Sequence, residues 1–233
     1  MHIPDGFIDA PTSVATGLVA AAGVAVALRK AGQELDEKTA PMAGLVAAFI
    51  FAVQMLNFPV GAGTSGHLLG GALAAVLVGP WTATLCMSVV LITQSLLFAD
   101  GGITALGSNI TLMGIVTVAV GYAVFRIVIR WAPSSARSVS VAAFLAALVS
   151  VPVAATAFVG LYEIGGTADI PLSSLLAAMV GWHVLIGIGE AIITGLTVSS
   201  VLAVRPDLVY GARGMLTKDA LQLRPSLSSQ TRS

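Results

Sequence analysis

Asn57-Phe58-Pro59-Val60-Gly61-Ala62-Gly63-Thr64-Ser65-Gly66-His67-Leu68-Leu69-Gly70-Gly71-Ala72-Leu73-Ala74-Ala75-Val76-Leu77-Val78-Gly79-Pro80 is the stretch on which the fold turns. Its apolar part, His67 to Val78, is short beside the roughly 20 residues that a membrane-spanning helix needs, and Gly79-Pro80 closes it. Whether this segment crosses decides between an even and an odd number of spans. Composition already makes the chain an integral membrane protein. It is 57% hydrophobic and 9% charged, with mean hydropathy +0.96, where a soluble domain carries about 25% charged residues.

Six further apolar runs flank the short one: about Thr12 to Leu28, Pro41 to Leu56, Trp81 to Phe98, Leu106 to Trp131, Val139 to Leu161 and Pro171 to Val204. The last is too long to lie wholly in hydrocarbon, so it tilts or begins with an interfacial turn. Arg29, Lys30 and Lys38 follow the first run. Arg126, Arg130 and Arg137 flank the junction of the fifth and sixth. Arg205, Arg213, Lys218, Arg224 and Arg232 follow the seventh, which accounts for all 11 Lys and Arg residues. With seven spans every one falls on a single side, the cytoplasmic side by the positive-inside rule. Without the short segment, Arg126 and its neighbours would fall outside. The expectation is therefore an all-α integral membrane protein with seven transmembrane helices, N-terminus outside and C-terminus cytoplasmic. Residues 1–11 form an outer N-terminus, 12–204 the membrane domain, and 205–233 a polar, partly disordered tail. Zero net charge gives no case for nucleic acid as a partner, and membrane lipid is the surroundings. The single cysteine, Cys86, reads as a small buried hydrophobe.

This topology puts Met1-His2 and His67 on the same outer face. Met1-His2-Ile3-Pro4-Asp5-Gly6-Phe7 lacks a basic n-region and a small-residue cleavage site, so it does not read as a removable signal peptide. A deformylated Met1 offers its α-amine, and His2 offers its amide nitrogen and its ring. One ion can take these three nitrogens in fused chelate rings, and His67 can complete a square. Square-planar nitrogen sites favour Cu(II) or Ni(II), with low-spin Co(II) as a further case. Taken singly, however, a His at position 2 is an exposed terminal residue and a His in a loop is a surface polar group. The glycines before His67 let the backbone approach closely. They are equally a turn between helices, and no Gly-Lys-Ser/Thr follows to make a phosphate loop.

Other polar residues sit near this face. Asn57, Thr64, Ser65, Gln94, Asp100 and Asn109 are candidates for hydrogen-bond support of a metal loop, although Asp100-Gly101-Gly102 is also ordinary turn chemistry. His183 and Glu190 are seven apart, on one face of the last helix. An ionisable residue inside a span is a functional candidate. Glu190 has no intramembrane Lys or Arg to pair with, so a protonated state, a hydrogen bond to a neighbour such as Gln94, or an ion path are all open. A structural or gating role for the pair fits better than direct ligation.

Met1 to Phe7, Asn57 to Val60, Gly63 to Gly70, Phe98 to Gly107, and His183 with Gly187-Ile188-Gly189-Glu190-Ala191 resemble the CbiM/NikM family in content and order. These are the substrate-binding membrane components of energy-coupling factor importers for cobalt and nickel. The likeness runs from Met1 to about Val204. It implies that the Met1 amine, the His2 backbone nitrogen and ring, and the His67 ring ligate transported Co(II) or Ni(II), with no resident cofactor. It implies a coupling protein of the CbiQ/NikQ type, ATPase subunits of the CbiO/NikO type and a small membrane protein of the CbiN/NikN type. It also implies residence in a bacterial or archaeal cell membrane and, for cobalt, supply of cobalamin synthesis. ATP hydrolysis would belong to the partners, since the chain has no Walker motif. A self-sufficient secondary carrier using His183 and Glu190 as a proton relay is the competing expectation. Nothing in the motifs separates cobalt from nickel, and likeness to the cobalt members favours cobalt.

Overall fold

The structure is a computed structural model that describes residues 1–35, 39–61 and 64–213, without the side chains of residues 58, 61 and 64. Lys38 and the tail from residue 214 therefore lie outside the described residues. Its helices are α1 (Ala10–Lys30), α2 (Ala40–Gln54), α3 (Gly71–Val78), α4 (Pro80–Leu97), α5 (Leu106–Trp131), α6 (Ala136–Gly165) and α7 (Leu172–Val204). Five of these, α1 and α4 to α7, are long and apolar enough to cross a membrane. Leu18, Leu28, Leu45, Leu97, Ile164 and Leu196 are exposed on the outer surface of the bundle. Aliphatic side chains in such positions face lipid, and the protein is a multi-pass membrane protein.

Helix ends are set by residues that can satisfy unpaired backbone groups. Asp9 caps α1 by accepting from Thr12 N at 2.8 Å, with Pro11 in the first turn. Ser135 caps α6 through Ser138 N. At α4 the cap comes from elsewhere in the chain. Buried Glu34 accepts from Trp81 N at 3.1 Å and Thr82 N at 2.7 Å. An added Cβ on Gly79 would meet that carboxyl group at 2.5 Å.

The expectation of helices alone needs amending. The Gly-rich stretch forms an antiparallel hairpin, β1 (Phe58–Gly61) with β2 (Thr64–Gly66). The short apolar segment is also less helical than its pattern implied. Residues 67–70 are non-helical, with Gly70 in the left-handed region at φ +83°, and only the eight residues of α3 wind up. At 1.5 Å per residue α3 is about 12 Å long, against about 30 Å of hydrocarbon. All eight of its residues are buried, packed on by α4, α5, α6 and the flanking helices. Gly71 lies so close to α5 that a Cβ would fall 1.9 Å from Thr117 Oγ1, and a Cβ on Gly121 would meet Ala72 at 2.7 Å. Small residues permit this backbone approach.

Non-helical backbone at membrane depth is tolerated only when protein encloses it and supplies its hydrogen bonds. Glu190 of α7 accepts from Leu69 N at 2.5 Å and from Gly70 N at 2.9 Å. Gln54 Nε2, at the end of α2, donates to Leu69 O at 2.6 Å. Two buried polar side chains in apolar helices thus serve one break in helical structure.

The α7 helix runs unbroken for 33 residues, without an initial interfacial turn. At about 50 Å it exceeds the hydrocarbon and must tilt or project. Beyond it, Val209 and Ala212 are buried in the same core as α3, so packing continues past Arg205. Helix α5 contains a π-helical turn, Ile110–Val116, directly after Asn109. Such turns widen a helix locally and recur at functional sites.

Candidate metal centre

The chain's start is threaded into the protein as an extended segment. Ile3 is fully buried, and its N–H donates to Asn109 Oδ1 at 2.8 Å. Its carbonyl accepts from Gly102 N at 2.8 Å and Asn109 Nδ2 at 3.2 Å. Asp5 Oδ1 accepts from Thr104 N at 2.7 Å and Thr104 Oγ1 at 2.6 Å, and these bonds hold its carboxyl below the usual range. Phe7 stacks on Phe158 and leans on Tyr162 of α6. Thr167 N donates to Phe7 O, and Asp9 N to Gly165 O. Gly102 lies so close that a Cβ would fall 2.3 Å from Asp5 N.

This threading delivers Met1 and His2 to buried positions, 1% and 6% exposed, beside the fully buried His67. The two imidazoles stack with centroids 4.4 Å apart and planes 25° from parallel. His67 Nδ1 donates to Leu68 O at 2.8 Å, so Nε2 carries the lone pair, and Nε2 has no hydrogen-bond partner. His2 Nε2 donates to Gln94 Oε1 at 3.2 Å. That leaves His2 Nδ1 free, 3.1 Å from Asp100 Oδ1 but not aligned for a hydrogen bond. Nδ1 is the ring nitrogen that can share a chelate ring with the amide of its own residue.

The electrostatics keep the Met1 amine and the His67 ring unprotonated. Burial pushes the Met1 amine from 8.0 down to about 4, with Asp100 pulling it back only in part. Burial first, and then its coupling to the neighbouring amine and to His2, holds His67 well below 6.5. Burial raises Asp100, but its contacts with His2 and Asn57 prevail and keep it below 3.8. A carboxylate therefore lies beside a neutral amine and two ring nitrogens that have no hydrogen-bond partner. That combination suits a cation that prefers nitrogen.

Among the polar residues singled out in the sequence, Gln94, Asp100, Asn109 and Asn57 converge here. Asn57 Nδ2 donates to Asp100 Oδ2 at 2.8 Å. Ser65 is half-buried on β2, and the Thr64 side chain lies outside the described residues. Glu190 does not pair with Gln94. Its partners are the main-chain donors of Leu69 and Gly70, a pairing that residue types alone do not reveal. His183 is fully buried, with Nδ1 2.7 Å from Met179 O. Gln54, Ile3, Asp5 and Thr104 support the site without having been picked out. Gln54 left one signal, a lone amide at the end of an apolar run. Among the described residues no three His, Cys, Asp or Glu side chains converge as a metal cage. A scheme built on an amine, an amide and two rings needs only two such side chains.

Comparison with known proteins gives a consistent set. A family model described as "Cobalt uptake substrate-specific transmembrane region", CbiM, matches residues 2–208. The chain is 44% identical over 211 residues to a putative fused nickel transport protein, NikMN, of Archaeoglobus fulgidus, covering 90% of this chain and 68% of that one. It is 32% identical to the cobalt transport protein CbiM of Sorangium cellulosum, covering 90% and 94%. The crystal structure of a truncated transition metal transporter superposes with a TM-score of 0.77 at 31% identity, covering 87% of this chain and 99% of that one.

Proposed function

From a chain that belongs to the CbiM family of cobalt-uptake substrate-specific transmembrane regions, transporter components and not enzymes, we propose a substrate-capture subunit for Co(II) or Ni(II). The ion is held by the Met1 amine, the deprotonated His2 amide, His2 Nδ1 and His67 Nε2 in a near-square plane. The observation that carries this reading is the burial of His2 Nδ1 and His67 Nε2 without hydrogen-bond partners, beside a buried amine kept neutral at pH 7. Buried polar atoms are ordinarily paired, and unpaired lone pairs around one point are a cost that a bound ion removes. Asp100 offsets part of the ion's charge. Gln94 fixes the His2 tautomer and Leu68 O fixes that of His67, as is usual for ligating histidines.

Seven membrane crossings with the N-terminus outside follow from the distribution of Lys and Arg. The break at residues 67–70 lets His67 reach the site while α3 completes the third crossing within the protein. The fused nickel relatives indicate a small membrane partner of the N type, which in them is part of the same chain. A coupling protein and ATPase subunits would supply the energy for release to the cytoplasm. Asp100, Gln94, Asn57 and Asn109 hold the N-terminal segment in its binding position, and Glu190 anchors the strand that carries His67.

The test is metal analysis of the purified chain with its native N-terminus, beside a version with one alanine inserted ahead of Met1. The native form is expected to retain one cobalt or nickel per chain and the extended form none. Equal retention would overturn the four-nitrogen site. The metal retained also discriminates cobalt from nickel.

A further inference from the structure

The end of the bundle opposite the metal centre holds a cavity lined by two arginines. Gln94 lies near the end of α4 and Trp81 near its start, about 20 Å apart along the helix. At the Trp81 end, the Lys30 ammonium lies 4.5 Å from the centre of the Trp81 ring. Arg213 Nη1 donates to Glu34 O at 2.9 Å at the same end. There Tyr122, Phe125 and Arg126 of α5 meet Tyr210 and Arg213 around a cavity of about 170 Å³. No Asp or Glu lines it among the described residues.

The walls of this cavity are fixed by packing. Phe125 is buried, and a Cβ on Gly211 would meet its Cζ at 2.7 Å, so glycine lets the segment after α7 settle on the ring. Tyr122 stacks with Phe125 and leans on Tyr210, with centroids 6.3 Å apart in both pairs. The Arg213 guanidinium lies 5.2 Å from the centre of the Tyr210 ring. With Nη1 on Glu34 O as well, Arg213 is held in place rather than free to swing in solvent. Glu34, whose charge reaches Tyr210, keeps its carboxyl on Trp81 N and Thr82 N. The positive start of α4 offsets that charge.

Two guanidinium groups around one cavity suit an anion, and their planar forks match the oxygens of a phosphate. At about 170 Å³ the cavity is smaller than the roughly 300–1,000 Å³ of small-molecule pockets. It takes a group the size of a headgroup, not a whole nucleotide. Its depth in the membrane is marked by aromatic residues, which collect at the membrane–water boundary. Trp131, five residues past Arg126, is 83% exposed, and Ile127 beside Arg126 is an exposed aliphatic residue that meets lipid. A phosphate at that level belongs to a lipid, and basic pockets between membrane helices bind such headgroups. We propose that this cavity binds the headgroup of an anionic phospholipid, its phosphate between Arg126 and Arg213 and its acyl chains leaving past Ile127. An arginine that serves only to orient the chain in the membrane needs no cavity shared with a second one. The bound lipid bridges α5 and the segment after α7, and so steadies that segment. The site is independent of the four-nitrogen reading and lies in whichever leaflet the basic end of the bundle occupies.

Native mass spectrometry of the full chain in detergent tests this, with titration by phosphatidylglycerol or by phosphatidylethanolamine of the same acyl chains. The wild type is expected to bind one phosphatidylglycerol about tenfold more tightly than phosphatidylethanolamine, the scale of one charged hydrogen bond. Arg126→Gln should remove that preference. Arg130→Gln, which takes the same charge from outside the cavity, should change it by no more than about twofold. Arg126→Lys keeps the charge without the fork and should lose most of the preference, which covers a failure of Arg126→Gln to fold. Phosphatidylglycerol should also raise the melting temperature of the wild type and not that of Arg126→Gln. Equal binding of the two lipids would overturn the site. Equal losses in Arg126→Gln and Arg130→Gln would replace it with a diffuse surface charge. Displacement of the lipid by glycerol phosphate at the same concentration would make the ligand a soluble phosphate and overturn the lipid assignment.

Discussion

Acidification should lift the N-terminal segment out of the metal-free protein well before it unfolds the bundle. The Met1 amine takes up a proton at 8.0 when free but only at about 4 when docked. Above pH 8 both states are neutral and docking is unaffected. Between 8 and about 4 the undocked segment binds a proton that the docked one refuses. Docking therefore weakens as pH falls, by about 1.4 kcal/mol or tenfold per pH unit. The total over the window is roughly 5 kcal/mol, comparable with a small domain's whole stability. His67, also depressed, adds to the loss below its ordinary 6.5. Asp100 is lowered, so its contribution is present above 3.8 and lost only beneath that. The readout is hydrogen exchange at the Ile3 and Gly102 amides, whose acceptors are Asn109 Oδ1 and Ile3 O. Expressed as protection factors, which remove the intrinsic pH dependence of exchange, protection should fall by about a hundredfold from pH 7 to pH 5. Protection that is flat or rises over that range would refute the claim that the amine is buried uncharged.

Three substitutions separate the site from its frame. Glu190→Ala leaves two buried N–H groups unpaired at about 1–3 kcal/mol each, so the melting temperature should drop by several degrees. The buried Cys86 is a convenient reporter, through its reaction with a thiol dye on heating. Gly102→Ala places a methyl group 2.3 Å from Asp5 N and 2.7 Å from Pro4 C, both backbone atoms with no room to yield. Metal affinity by calorimetry should fall tenfold or more, a loss of about 1.4 kcal/mol, with little change in helix content by circular dichroism. Glu34→Ala removes the cap of α4 and should lower the melting temperature, while metal affinity of the folded chain, measured the same way, stays within about twofold because the cap lies outside the centre.

The long runs behind α4, α5, α6 and α7 were readable because each is apolar along most of its length and bounded by charge, proline or glycine. The α3 helix was readable only indirectly. Nothing in its eight residues announces a crossing, and the expectation of one rested on the placement of Arg126, Arg130 and Arg137. The hairpin before it was hidden because glycine and small residues fit a turn as readily as a strand. Met1, His2 and His67 stood out since amine, amide and imidazole are ligand types whatever the fold. The binding of Leu69 and Gly70 by Glu190 was not legible: backbone donors carry no residue signature, and the partners are 121 and 120 positions apart. His183 remained ambiguous for a different reason, since its hydrogen-bond partner is the Met179 carbonyl of its own helix.

That separation also sets a clock. Synthesis proceeds at about 5–20 residues per second, so Leu69 and Gly70 leave the ribosome roughly 6 to 24 s before Glu190 does. During that interval their N–H groups lack the carboxylate that permits them to lie at membrane depth, and water or lipid headgroups must serve instead. The expected consequence is that these two donors stay with water until the final helix supplies its carboxylate. A chain stalled before α7 would own every helix that surrounds α3 except the one that secures its entrance, and it would present that unfinished entrance to the cell's proteases.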